Sequence, residues 1–274
     1  MERNHLPLSW PIDKYSREVD DFPSPLYTYI FKGEKREVLY HYTSVESLLK
    51  IIDLAELKFS RIDRVNDPVE KYSLIYDELY KAAYVACFNH DENESIPLWK
   101  MYTPQGLGVR IGFFFKGSNI HENIVDSKRL IVDKNRQPVD WINIDDDKEK
   151  CTARLMIKDV QYLDKVMFRN MHIQDEKMYI IPDIVGAYKT TIWDYENETR
   201  MVLYLMDEDK AKELDSDYLL VPMSTRYIDR IEVRFDPWMT KEIKRCIVLG
   251  VEEYSRKWAI NVEFADSELC NRIK

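Results

Sequence analysis

The run Tyr227-Ile228-Asp229-Arg230-Ile231-Glu232-Val233-Arg234-Phe235 constrains the fold more than any other stretch of this chain. Successive side chains of an extended strand point to opposite faces, so Ile231, Val233 and Phe235 fall on one side and Arg230, Glu232 and Arg234 on the other. The segment therefore predicts a strand with one dry and one wet face, the habit of antiparallel sheets. Around it, strand and helix signals intermix without a regular strand-helix-strand beat, which predicts an α+β fold.

The other elements follow from local signals. Residues 38–42 read as a short strand, with Thr43 or Ser44 as N-cap of a helix running to about residue 54, whose Val45, Leu48, Leu49 and Ile52 keep helical spacing. Strands are expected at 57–60, 84–88, 107–115, 198–205 and 260–264, with a possible edge strand at 160–162. Asn66-Asp67-Pro68-Val69-Glu70 predicts a turn and helix start, with Asp67 capping, Pro68 at the first helical position and Glu70 closing a capping box; the helix extends to about residue 83. Further helices are expected over 95–102, 183–190 and 240–257, while the charged stretch from about 121 to 177 carries no clear period.

Composition narrows the class. With 274 residues, 45% of them apolar, the chain can bury a large core, and its 7 glycines and 11 prolines are spread without a linker-like cluster. A single domain over 1–274 is expected, with 1–35, which carries Pro7, Pro11, Pro23 and Pro25, as an extended arm and 36–274 as the core. A formal charge of -9 argues against bulk nucleic-acid binding. Cys87, Cys151, Cys246 and Cys270 lack metal-knuckle spacing, so no metal is expected. The first residues do not read as a signal peptide and no apolar run approaches about 18 residues, so a cytoplasmic protein without membrane contact is expected.

Three segments carry candidate chemistry. In Leu39-Tyr40-His41-Tyr42-Thr43 an apolar strand delivers His41 to the mouth of a helix, where ring nitrogens and backbone N–H groups can meet a hydroxyl-rich or anionic ligand; the alternative is a core histidine bonded to a carbonyl. In Trp193-Asp194-Tyr195-Glu196-Asn197-Glu198-Thr199-Arg200, a strand would set Glu196, Glu198 and Arg200 on one face, the carboxylates raising each other's pKa and Arg200 or Lys189 lowering it; the alternative is a solvated strand start with a salt bridge. In Pro97-Leu98-Trp99-Lys100-Met101-Tyr102, the spacing favours Trp99 as core, with Tyr102 as a stacking surface for a flat ring.

Taken in order along the chain, these segments resemble a bacterial family labelled domain of unknown function 2971, associated with abortive-infection loci. The resemblance spans about 38–205 and rests on Leu39-Tyr40-His41-Tyr42-Thr43-Ser44, Asn66-Asp67-Pro68-Val69-Glu70, Leu98-Trp99-Lys100-Met101-Tyr102 with Gly108-Val109, and Lys189, Trp193, Glu196, Glu198 and Arg200. A more distant resemblance is to ADP-ribosyltransferases of the His-Tyr-Glu class, although Tyr42 stands where the polymerases of that class carry glycine. The resemblance implies a mainly antiparallel split sheet with flanking helices and NAD as cosubstrate, passed as ADP-ribose to a protein or nucleic-acid acceptor or to water. It implies catalytic roles for His41 and Glu198, with Glu196 in reserve, and cofactor binding by His41, Tyr42, Thr43, Tyr102 and Arg200. Arg61, Arg110 or Arg200 would meet the pyrophosphate. Two rivals are a metal-dependent nuclease using Asp67, Glu70, Lys189, Glu196 and Glu198, and a non-catalytic binding module of a defence or toxin system.

Overall fold

Strand β1 (Val38–Ser44) runs directly into helix α1 (Val45–Leu54) because Ser44 caps it, its hydroxyl accepting from Ser47 N at 3.1 Å. The computed structural model describes residues 36–67, 70, 80–116, 125–126, 128–144, 152–163, 173–174, 177–178 and 185–271. The expected arm at 1–35 and most of the helix expected after Pro68 lie outside those residues.

The chain continues through β2 (Glu56–Arg61), β3 (Ala83–Asn89), α2 (Ile96–Tyr102), β4 (Gly108–Phe115), β5 (Ala153–Asp159), β6 (Gln161–Leu163), β7 (Ile173–Gln174), β8 (Lys177–Met178) and β9 (Tyr188–Thr190). After a 3-10 turn at Thr191–Glu196 come β10 (Glu198–Leu205), α3 (Glu208–Glu213), β11 (Tyr218–Pro222), β12 (Ile228–Phe235), α4 (Lys241–Ser255) and β13 (Asn261–Ala265). Among the described residues, nine strands form one sheet in the order β11-β2-β3-β1-β4-β12-β13, with β10 paired to β3 and to β5. Every pairing in it is antiparallel except β12 with β13. The fold is α+β.

The sheet forks at β3. One edge of β3 pairs with β10 along seven residues, from Asn89 opposite Glu198 to Ala83 opposite Tyr204. The other edge is shared: β2 meets it only at Tyr84 and Val85, and β1 only at Asn89. Over 86–88 neither strand completes the ladder, and the fork opens a cleft.

The apolar faces are read correctly from the sequence. Ile231, Val233 and Phe235 of β12 are buried, as are Leu48 and Ile52 of α1 and Ile247 and Val251 of α4. These two helices cover the same side of the sheet, close enough that a Cβ at Gly250 would touch Leu49 Cδ2 at 3.4 Å. Among the described residues no helix is long and apolar enough to cross a membrane.

Three local expectations fail. The described part of the helix expected at 183–190 is instead a turn at Val185 and Gly186 followed by β9, which pairs in parallel with β6. Gly186 sits at φ +69, a left-handed conformation that stops a helix. The face expected to hold Glu196 with Glu198 and Arg200 loses Glu196, since the strand begins at Glu198, as its expected span has it, after Asn197 turns at φ 39 past the 3-10 segment. β5 and β11 lie in stretches where charge or short length hid the period.

Candidate active site

His41 fills the gap in the fork. Its Nδ1 lies 2.9 Å from Cys87 O, a carbonyl that can only accept, so Nδ1 carries the proton. Burial pushes the ring pKa down, opposed by that same hydrogen bond. The neutral ring then turns Nε2 into an acceptor, and Nε2 has no hydrogen-bond partner among the described residues. The bond to the core carbonyl expected as the alternative is present, and it leaves the other ring nitrogen without a hydrogen-bond partner among the described residues.

Tyr102 reaches the cleft from the last turn of α2. That helix starts at Ser95, whose hydroxyl accepts from Leu98 N, and ends on Thr103, whose hydroxyl donates to buried Asp236 at 2.6 Å. Its end packs directly on β4, where a Cβ at Gly108 would lie 2.1 Å from Thr103 Cβ and 2.8 Å from Thr43 O. Glycine is required there by close approach. Trp99 is fully buried, and Tyr42 packs edge-on against it at 4.9 Å. The Tyr42 hydroxyl also accepts from Ser95 N at 3.1 Å, so this side chain is tied to the start of α2.

Beneath the cleft lies a buried charge cluster. Arg200 grips two carboxylates: Glu198 through Nε at 2.8 Å and Nη2 at 3.1 Å, and Glu70 through Nη2 at 2.8 Å and through Nη1. Arg200 Nη1 also donates to Gly186 O at 3.1 Å. Lys189, delivered by β9, bonds Glu196 Oε2 and lies 2.9 Å from Glu198 Oε2 and 4.0 Å from Glu70 Oε1. Tyr102 donates to Glu196 Oε1 at 2.8 Å and accepts from Asn66 Nδ2 at 3.3 Å. The backbone is pinned too, with Asn89 Nδ2 donating to Glu196 O at 2.6 Å and Glu198 N donating to the Tyr162 hydroxyl at 2.9 Å.

Three carboxylates face two cations here, so the fully ionised cluster carries one net negative charge. The two neighbouring glutamates respond oppositely. Burial pushes Glu198 up, but Arg200 and Lys189 together overcome it and hold the group at about 2. For Glu196 burial prevails over Lys189, and its pKa is raised; Glu70 is raised likewise by burial. Burial also raises the Tyr102 phenol and the Cys87 thiol, so both stay protonated and act as donors.

The cleft encloses about 380 Å³, a figure that includes open solvent at its mouth. Its lining brings together His41, Tyr42, Tyr102, Glu196 and Glu198 with Tyr40, Cys87, Phe88, Asn89 and Leu98. Two of the expected binding residues are elsewhere. Thr43 is buried and borders Gly108 through its carbonyl, and Arg200 is wholly buried between Glu70 and Glu198, so neither lines the cleft. Arg61 is likewise engaged by Asp63 at 2.6 Å, and Arg110 is buried over the Tyr40 ring at 4.2 Å. The sequence does not single out Cys87 or Asn89, and it offers Glu70 as a helix cap or a nuclease carboxylate rather than as a partner of Arg200. Only its distance of 130 residues from Arg200 hid the pairing.

Comparison of the chain with protein-family models, curated proteins and solved structures returns no match.

Proposed function

We propose that this cleft cleaves the nicotinamide–ribose bond of NAD, passing ADP-ribose to a macromolecule or to water, in line with the resemblance to His-Tyr-Glu ADP-ribosyltransferases. The observation that carries this reading is convergence: His41, Tyr102 and the two glutamates, drawn from three separate stretches of chain, border one cleft. In this reading His41 Nε2 accepts from a ribose hydroxyl, while the Tyr102 ring, Phe88 and Leu98 flank the nicotinamide.

The bond from C1′ to the ring nitrogen breaks with its electron pair leaving on nicotinamide. Positive charge develops on the sugar above a cluster with one net negative charge, which favours that transition state. Water or an acceptor group then bonds C1′ and gives its proton to a carboxylate. Glu196 suits that task better than Glu198. Two donors occupy Glu196, leaving acceptor sites open, and its raised pKa brings it closer to neutral pH. Glu198 is closed on Arg200 and Lys189 and serves as their anchor.

A second reading, a binding platform without catalysis, draws on the same pairing, since a cluster that neutralises most of its own charge is also what a structural polar core needs. The nuclease reading is weaker, because a divalent metal would have to displace Arg200 and Lys189 from the carboxylates. A setting in phage defence by abortive infection is part of the proposal.

Mass spectrometry of the protein incubated with NAD tests this directly. Release of nicotinamide is expected, with free or protein-attached ADP-ribose, and its loss in Glu196→Gln. Retention of NAD with every acceptor fraction supplied would sink the enzymatic reading.

A further inference from the structure

Lys189 belongs to no part of the proposed chemistry, yet its ammonium joins the two glutamates. It arrives from β9, which among the described residues pairs with β6 in a two-stranded sheet separate from the nine-stranded one. It hydrogen-bonds Glu196 Oε2 and forms an ion pair with Glu198 Oε2 at 2.9 Å, and the Trp193 ring lies 5.1 Å away. Lys189 does not line the cleft.

We propose that Lys189 is a positioning residue of this site: by bridging Glu196 to the immobile Glu198, it keeps Glu196 ionised and turns its open acceptor sites toward the cleft. The proposal rests on the functional reading given above. Glu198 is fixed because Arg200 contacts both of its oxygens. Lys189 transmits that rigidity to Glu196, which projects from the 3-10 turn rather than from a strand. Tyr102 and Lys189 are both donors and use different oxygens of Glu196, an arrangement that a carboxylate satisfies and a protonated carboxyl satisfies poorly.

The other groups that face Glu196 do not substitute for Lys189. From β10, Glu198 repels negative charge on Glu196 and Arg200 is committed to Glu198 and Glu70. From β3, Cys87 is a protonated thiol, and from β1, His41 is neutral. Removing the ammonium leaves a buried Glu196 beside Glu198 and Glu70 with one donor, Tyr102.

The test compares Lys189→Met and Lys189→Arg with the wild-type chain in two assays: NAD cleavage against pH, and carbon NMR titration of labelled glutamate carboxyls, with Glu196 identified by its loss in Glu196→Gln. In Lys189→Met the Glu196 midpoint is expected to rise by at least about one unit, with a matching shift of the acid limb and about tenfold lower activity on that limb. Lys189→Arg should restore the midpoint. If Lys189→Met does not fold, Lys189→Gln takes its place in both assays. An unchanged midpoint and an unchanged pH profile overturn the proposal. If no chain cleaves NAD, the functional reading fails and the catalytic part of the proposal with it, whereas the NMR midpoint still decides whether Lys189 holds Glu196 ionised.

Discussion

Two buried arginine networks on the same sheet, one around Arg200 and one around Arg234, use the same chemistry to different ends. Arg234 on β12 holds Glu94 at 3.2 Å, Glu232 at 3.1 Å and Glu268 at 2.8 Å, the last on the C-terminal segment and largely exposed. Its central carboxylate, Glu94, accepts from Trp99 Nε1, Ser267 Oγ, Glu268 N and Arg234 Nη1, which uses all four acceptor sites. The corresponding carboxylate of the other network, Glu196, accepts from Tyr102 and Lys189 only. A saturated carboxylate fastens segments together; a half-saturated one beside a cleft keeps capacity for a ligand. Residue type alone does not distinguish the two.

The largest difference should come from removing the arginines. Arg200→Met strands Glu70 and Glu198 in the interior, at an expected cost of about 3–5 kcal/mol. Arg234→Met leaves Glu232 and Glu268 able to reach water and buried Glu94 with its three other donors, so it should cost only about 1–2 kcal/mol. Urea denaturation of both variants measures the gap, and equal losses would dissolve the contrast.

Exchanging the central carboxylates should sharpen it. Glu94→Gln turns an amide donor toward four donors and should destabilise by about 1–3 kcal/mol. Glu196→Gln turns its amide toward one of only two donors and should cost about 1–2 kcal/mol, yet lower NAD cleavage by roughly 10²- to 10⁴-fold if it carries the proton. Thermal melting beside the cleavage assay separates these outcomes.

The smallest effect is in acid. A carboxylate held at about 2 in the folded chain and 4.5 in the unfolded one contributes stability that is present above about 4.5 and is lost as pH falls toward 2. Glu196 and Glu70 act with the opposite sign, since their raised values relieve a burial cost on protonation. A urea midpoint followed from pH 5 to pH 2 should therefore fall in the wild-type chain and lack the Glu198 component in Glu198→Gln. Identical slopes would show that Glu198 is not the anchor.

How far the sequence could be read depended on whether a signal was local. The strand into α1, the apolar strand at β10 and the alternation in β12 were legible because period and caps lie within a few residues. β5 was not: Arg154, Lys158 and Asp159 look like a solvated stretch, although Lys158 is buried and bonds Val185 O at 3.0 Å. The helix expected at 183–190 missed the left-handed turn at Gly186. In the cleft, His41, Tyr102 and the glutamates could be named from motifs, but the closing of Arg200 on both oxygens of Glu198 could not. Which carboxylate is closed depends on contacts between residues far apart in sequence, and Glu70 had a sufficient local explanation as a cap.

The account's central claim is that ligand enters the fork between His41 and Glu196. A crystal of Glu196→Gln soaked with NAD tests it most directly. The predicted result is a nicotinamide ring beside Tyr102, with a ribose hydroxyl at about 3 Å, hydrogen-bond distance, from His41 Nε2. A crystal that admits NAD elsewhere, or leaves the fork empty at saturating NAD, would contradict it.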